Sequence, residues 1–373
     1  MTNKPTNKLT IVHTNSVIEL YYTLYPFLLG IPSNEIKFVH FNSNKYNSVT
    51  GKNVLFIRIF KNRFNDIDFI QKTIVDLKNR FENIYYLDDS AGADSTHFEF
   101  ISDLDGYFKA KILNDYSYFK QETYGRQVFS DYYHKVFGVD DKVISVRKPI
   151  HNSKELKKLH LAFNLGYGMY PKPSPKSIKR ATGYLFARIN NFQLMKPLFK
   201  LAHENIIGKL SESIDYKKKN LLVSSRFRFE SYPNSIGYQR KLFNDIINGN
   251  ENFTTGIISP TNYIQELKKV LITLSPFGYG EVCVRDFEAI LNGSLLLKPD
   301  MSHISTWPDI YIPNETYIPL KWDGSDLLDK VDNILSNPKK FIPIIKNSRI
   351  VYQESLQNIE RYFQTKIGAF FKL

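Results

Sequence analysis

The chain has 373 residues, 42% of them hydrophobic, 14% aromatic and 23% charged, with a formal net charge of +13 at pH 7. That length suits two domains of ordinary size, and the composition supplies enough apolar surface for real cores, which excludes a globally disordered chain. A single cysteine, Cys283, excludes an internal disulfide framework and a cysteine-based zinc cluster, and is compatible with a reducing cytoplasm. No apolar run reaches the roughly 18 to 20 residues that span a bilayer. The first residues, Met1-Thr-Asn-Lys-Pro-Thr-Asn-Lys8, lack a signal-peptide core, so a cytoplasmic protein, soluble or peripheral at the inner face of a membrane, is expected. The positive charge favours anionic partners such as nucleotide diphosphates, lipid-linked phosphates and an anionic membrane surface. The sequence holds no zinc finger, RNP motif or KH loop, so nucleic acid is not an expected partner.

In chain order, Lys8 to His13 reads as an opening strand, Asn15 or Ser16 as a cap, and Val17 to Leu29 as a helix. Ile36 to Phe41 and Val54 to Ile59 are further strands. Ile67, Ile70, Ile74 and Leu77 make a helical stripe, followed at once by the strand Ile84 to Leu87. Strands alternating with helices predict a parallel sheet covered on both faces. In such sheets ligands lie beyond the carboxyl ends of the strands, which singles out His13 after the first strand and Asp88 and Asp89 after Leu87. A site that deprotonates a hydroxyl needs a carboxylate or imidazole there, so these three are the candidate bases; an Asp-Asp-Ser turn and cap is the other use of the same residues. Asp103-Leu-Asp105 has a D-x-D form whose two carboxylates can hold a divalent metal against a diphosphate, although a turn before the strand Gly106 to Lys109 accounts for it too.

From Tyr116 to about Lys148 the chain is rich in aromatic residues without clean periodicity and reads as a helical insertion packing its rings on the core. Tyr170-Pro-Lys-Pro-Ser-Pro175 reads as an interdomain linker. Residues 177–209 read as helices with Leu185, Ile189, Phe192, Leu194, Leu198 and Leu201 as their apolar positions. A second alternation then starts. Leu221 to Val223 is a strand ending at Ser224-Ser-Arg-Phe-Arg228, where Arg226 and Arg228 can reach an anion. Tyr238 to Ile247 is a helix, Thr254 to Ile258 a strand and Pro260 to Lys268 a helix.

The stretch Leu271 to Pro299 carries the chemistry. An apolar strand breaks at Pro276, Gly278 and Gly280, and apolar residues resume at helical spacing at Val284, Phe287 and Leu291. Gly293 stops the helix, and Ser294 to Leu297 is a second strand. Glu281, Arg285, Glu288 and Asn292, spaced four, three and four apart, fall on the opposite face. A helix opening just after a glycine loop presents free N–H groups and the positive end of its dipole to an anion such as a diphosphate. An exposed Glu281–Arg285 ion pair is the plainer use of the same spacing.

The segment Phe277-Gly-Tyr-Gly-Glu-Val-Cys-Val-Arg-Asp-Phe-Glu-Ala-Ile-Leu-Asn-Gly-Ser-Leu-Leu-Leu-Lys-Pro299 resembles the donor-binding unit of GT-B glycosyltransferases of the group-1 and exostosin-like type. The resemblance covers about residues 220–345. It implies an α/β fold of two Rossmann-like domains facing across a cleft: 1–170 on the acceptor side, 171–216 as linker and helices, 217–345 for the nucleotide-sugar, and 346–373 as a helix returning to the first domain. It also implies Glu288 on the donor ribose, and Arg285 with the loop Gly278, Tyr279 and Gly280 on phosphate. Arg226, Arg228, Glu281, Lys298 and His303 complete the expected donor site. The implied activity is transfer of a sugar from a UDP-, GDP- or CMP-linked donor to a hydroxyl of a glycan or lipid-linked acceptor, with no metal or cofactor required. In the retaining group-1 enzymes a Glu precedes the glycine loop, whereas here Pro276 and Phe277 stand there, so the anomeric outcome is left open. The alternatives are a metal-dependent GT-A transferase using Asp103 and Asp105, and a basic nucleotide- or nucleic-acid-binding protein without chemistry.

Overall fold

The computed structural model describes residues 8–14, 16, 18–94, 97–166 and 185–372. The expected cap Asn15 and the expected linker at 170–175 lie outside them. The first part of the chain gives β1 (Leu9–His13), β2 (Ile36–His40), β3 (Gly51–Ile57), β4 (Phe81–Asp88), β5 (Gly106–Lys109), β6 (Lys111–Leu113), β7 (Thr123–Tyr124), β8 (Val146–Arg147) and β9 (Leu159–Leu161). Six of these form a parallel sheet in the order β2-β1-β3-β4-β5-β9. Every residue of β1 is buried, because helices cover both faces of such a sheet and a central strand then needs an unbroken apolar run. The helix Ile67–Arg80 is one of those covers: Ile70, Ile74 and Leu77 face the sheet, while Ile67, the first residue of the predicted stripe, is exposed.

The second part gives β10 (Asn220–Ser224), β11 (Phe253–Thr254), β12 (Val270–Leu274), β13 (Leu295–Pro299), β14 (Ile304–Thr306) and β15 (Ile318–Leu320). Its sheet is parallel too, in the order β11-β10-β12-β13-β15. A separate core of Val223, Phe243, Ile272, Leu295, Leu297 and Val331 lies beneath it. The chain is therefore α/β with two Rossmann-like sheets.

The two sheets meet through the segments that leave the carboxyl ends of their strands. β14 pairs antiparallel with β6, with Ser305 opposite Ile112. The Gln127 side chain donates to the Tyr279 carbonyl at 2.7 Å, and the Ala93 amide donates to Glu281 at 3.0 Å. The insertion at 116–148 folds as the helix Val128–Phe137 flanked by the short β7–β8 pair, and Phe129 and Tyr133 are its buried rings. After the helix Ile342–Gln357 the chain end lies on the first sheet, where Phe371 packs edge-on against Tyr85 at 4.9 Å and its carbonyl accepts from Asn53. Phe371 is buried there, while Phe370 is 38% exposed.

Candidate functional site

In the second sheet the strand order reverses between β10 and β12, which is where a doubly wound sheet opens a crevice beyond its strand ends. A cavity of about 560 Å³ occupies that place. Its walls are Arg226 to Arg228 after β10, Gly256 to Ile258 after β11, Gly278 to Gly280 after β12, and the outer face of the helix Val284–Leu291.

That helix starts later than the spacing of its residues suggests. Cys283 is the N-cap, and the Asp286 carboxylate accepts from the Cys283 amide at 2.9 Å, closing a capping box. Glu281 therefore precedes the helix. It turns away from the cavity and is fully buried against Ala93, with His303 3.7 Å away. The predicted i,i+4 pair with Arg285 does not form. Val284, predicted as core, is 51% exposed and lines the cavity instead, while Phe287 and Leu291 are buried as the stripe requires. Gly293 takes φ +64°, the left-handed stop expected of it.

The capping box satisfies the amides of Cys283 and Asp286 and leaves those of Val284 and Arg285 at the helix end, facing the side where an anion is favoured. Asp286 would oppose an anion there, but Lys298 neutralises it: the ammonium lies 3.0 Å from Asp286 Oδ2 with both side chains fully buried. Ser275 and Tyr311 donate to the same carboxylate at 2.5 and 2.6 Å. Lys298 is thus a strut beneath the helix rather than a ligand group. A lysine ending an otherwise apolar strand gives no sign in the sequence of which layer it enters.

Four arginines line the cavity. Arg226 is paired with Glu266 at 2.6 Å, and Ser224 donates to the same carboxylate. Arg228 is exposed. Arg240 donates to the carbonyls of Phe277 and Arg228, and Arg285 to that of Arg226 at 2.8 Å. Carbonyl partners fix a guanidinium without cancelling its charge, so the cavity keeps a cationic wall. Glu288 stands in the same wall, and burial raises its carboxyl above the ordinary value against the opposing pull of Tyr263 and Arg285. Arg240, Tyr263 and Glu266 were not legible as site residues. Each sits inside an ordinary amphipathic helix, and only the fold turns it toward the cavity.

Across the cleft a smaller cavity of about 160 Å³ lies beyond the first sheet, lined by Tyr22, Thr23, Asp89, Lys111, Asn164 and neighbours. Ala91 and Val282 belong to the walls of both cavities, so the two adjoin there. Asp89 is held by Arg58 Nε at 2.6 Å and by the Thr23 hydroxyl at 2.7 Å. Asp88 instead faces inward: it pairs with Lys109 at 2.9 Å with both side chains buried, and burial notwithstanding the Lys109 charge draws its carboxyl down to about 2. His13 is fully buried between Phe38, His40 and Phe192, and burial lowers its imidazole to about 4. Neither lines the crevice. His303 packs on Trp322 at 4.9 Å between the sheets and does not reach the donor-side cavity. Glu19, six residues past β1, was not singled out by the sequence. It accepts from the Thr14 amide and hydroxyl, and burial lifts its carboxyl to about 8.

Asp103 and Asp105 do not come together as a site. Asp103 pairs with Lys78 on the surface, and Asp105 accepts from the Ile84 amide at the amino end of β5, the edge of the sheet away from the cleft. Among the described residues no group of three or more His, Cys, Asp or Glu side chains is arranged to hold a metal ion.

No protein-family model and no curated protein matches the sequence. The fold is similar to that of an S. aureus MnaA–UDP complex, at 10% identity over 96% of this chain and 97% of the other, with a TM-score of 0.42. It is similar also to an alpha-glucosyltransferase in complex with UDP (9% identity, 98% of each chain, TM-score 0.43). A third is Anabaena HepE in complex with UDP-glucose (8% identity, 97% and 99% of the two chains, TM-score 0.42). At these values no residue role transfers from them. By its own topology the chain has two parallel α/β sheets, and the segments leaving their strand ends meet through the β6–β14 pair and the Gln127–Tyr279 and Ala93–Glu281 hydrogen bonds.

Proposed function

We propose that the protein is a glycosyltransferase that moves a sugar from a nucleoside diphosphate sugar to a hydroxyl of a glycan or lipid-linked acceptor, in the synthesis of a surface polysaccharide, lipopolysaccharide or glycoprotein glycan. The observation that carries the reading is the adjacency of two cavities that share Ala91 and Val282 as wall, one cationic with a carboxylate in its lining, the other holding Asp89. Arg228, Arg240 and Arg285, with the Val284 and Arg285 amides, take the diphosphate. Glu288 accepts from the ribose diol, which matches the resemblance of 277–299 to a donor-binding unit.

Transfer leaves a nucleoside diphosphate whose negative charge grows in the transition state. Guanidinium groups already fixed by carbonyl partners stabilise that charge without reorganising, and this is the main catalytic contribution the site can make. Asp89, oriented by Arg58 and Thr23, is the carboxylate positioned to take the acceptor's proton. Asp88 and His13 are not assigned this role, because one is locked to Lys109 and the other is sealed in the core.

The test is release of the nucleotide, UDP, GDP or CMP, from UDP-, GDP- and CMP-linked sugars with and without EDTA. Turnover of one donor that survives EDTA and falls at least tenfold in Asp89→Asn supports the reading. Turnover abolished by EDTA would favour the metal-dependent alternative, and turnover of none of the donors by wild-type protein would leave a binding protein.

A further inference from the structure

The helix Lys196–Ser211 and the turn before it are apolar on two sides. Met195, Phe199, His203 and Leu210 pack inward, so the opposite side of a water-facing helix should be polar. It is not: Leu194, Leu198 and Leu201, spaced i, i+4 and i+7, are 57%, 37% and 58% exposed. Leu185 and Ile189 just upstream are exposed as well. These are the positions that a helical reading of the sequence assigns to a core, and of that set only Phe192 is buried. A run of apolar side chains on one surface marks a docking face rather than scattered exposure.

Charge identifies the occupant. Among the described residues, 185–209 carry four basic side chains, Arg188, Lys196, Lys200 and Lys209, and one acid, Glu204. Arg188 and Lys200 are exposed beside the leucines. Leucines within a basic border complement a surface that is apolar beneath and anionic above, which is the chemistry of a bilayer containing anionic lipid.

The position fits as well. Asn190 accepts from the His40 amide at 2.7 Å and Phe192 lies 6.3 Å from His13, so this face sits at the carboxyl ends of β1 and β2, the end that holds the Asp89 crevice. β2 and β4 are three strand spacings apart, which places the crevice roughly 15 Å away across the sheet. A lipid-linked acceptor would then enter from the surface on which the protein rests. That last point depends on the proposed transferase activity, whereas the docking itself does not.

We propose that Leu194, Leu198 and Leu201, bordered by Arg188 and Lys200, dock the protein on an anionic lipid bilayer. The experiment is flotation of the full-length protein with vesicles of phosphatidylglycerol and phosphatidylcholine, against phosphatidylcholine alone. Wild-type protein should float with the anionic vesicles and be released by salt. The triple variant Leu194→Gln, Leu198→Gln, Leu201→Gln should bind them at least tenfold more weakly. Its nucleotide-sugar affinity should equal that of wild type, since the donor-side cavity belongs to the other sheet and reports folding independently. Wild-type protein that ignores anionic vesicles overturns the proposal, whatever covers the leucines instead, and so does a triple variant that floats like wild type. A wild-type dimer in light scattering that the triple variant converts to monomer would assign the leucines to a second copy and overturn it too. Flotation without nucleotide-sugar binding would leave the docking standing and remove the transferase reading.

Discussion

Gly280 lies so close to Ala91 that a Cβ on the glycine would sit 1.8 Å from the Ala91 carbonyl oxygen. The contact joins the glycine loop of the second sheet to the segment leaving β4 of the first, at the floor shared by the two cavities. Both sides of the clash are backbone, so neither yields by a rotamer change. Gly280→Ala should cost about 1–3 kcal/mol of stability, read from the urea midpoint, and should weaken donor binding as the loop shifts. An unchanged midpoint would show that the sheets do not meet as closely as described.

Lys298 and Asp286 form the buried strut under the helix Val284–Leu291. Lys298→Met should destabilise by about 3–5 kcal/mol, because it leaves a buried carboxylate without its cation. A lysine that touched only donor phosphate would lose affinity and keep its stability, so the urea midpoint decides between the two roles.

His13 sets a pH dependence. Burial lowers its imidazole from the ordinary 6.5 to about 4, so between those values the unfolded chain binds a proton that the folded chain refuses. Its contribution to stability is whole above pH 6.5 and is lost as the pH falls toward 4. The slope it adds is at most about 1.4 kcal/mol per pH unit. His97, lowered to about 4 in the same way, adds its own. Urea unfolding of His13→Gln across this range should show a shallower acid slope than wild type; an equal slope would mean that the imidazole is not sealed from water.

Cys283 lines the donor-side cavity next to Gly278 and is the only thiol in the chain. A saturating nucleotide should slow its alkylation by N-ethylmaleimide by roughly tenfold or more, followed by intact-protein mass. Equal rates with and without nucleotide would place the ligand elsewhere.

The two α/β units were legible because β1 through β4 and β10, β12 and β13 are short apolar runs alternating with helical stripes, a pattern set by burial on both faces. The left-handed Gly293 was legible because few other residues take that conformation, whereas the glycine at 280 answers to the close approach of the Ala91 backbone. What escaped was direction. Spacing alone puts Glu281 on the face of Arg285, but the N-cap at Cys283 leaves Glu281 outside the helix and free to bind Ala93 of the other sheet. Asp88 and Asp89 are adjacent in a segment leaving one strand, where successive side chains point opposite ways, so one meets Lys109 inside and the other the crevice. The leucines of 185–201 read as core because periodicity reports an apolar face and says nothing of what covers it.

The account rests on the cationic cavity between β10, β12 and the helix Val284–Leu291 being the seat of a nucleotide. Calorimetric titration of UDP-, GDP- and CMP-linked sugars into wild-type protein and into Glu288→Ala tests this most directly. One donor should bind wild type saturably and bind Glu288→Ala about 10 to 100-fold more weakly, the loss expected when a carboxylate's hydrogen bonds to a diol are removed. Equal affinity in the two proteins, or no binding of any donor to wild type, would contradict it.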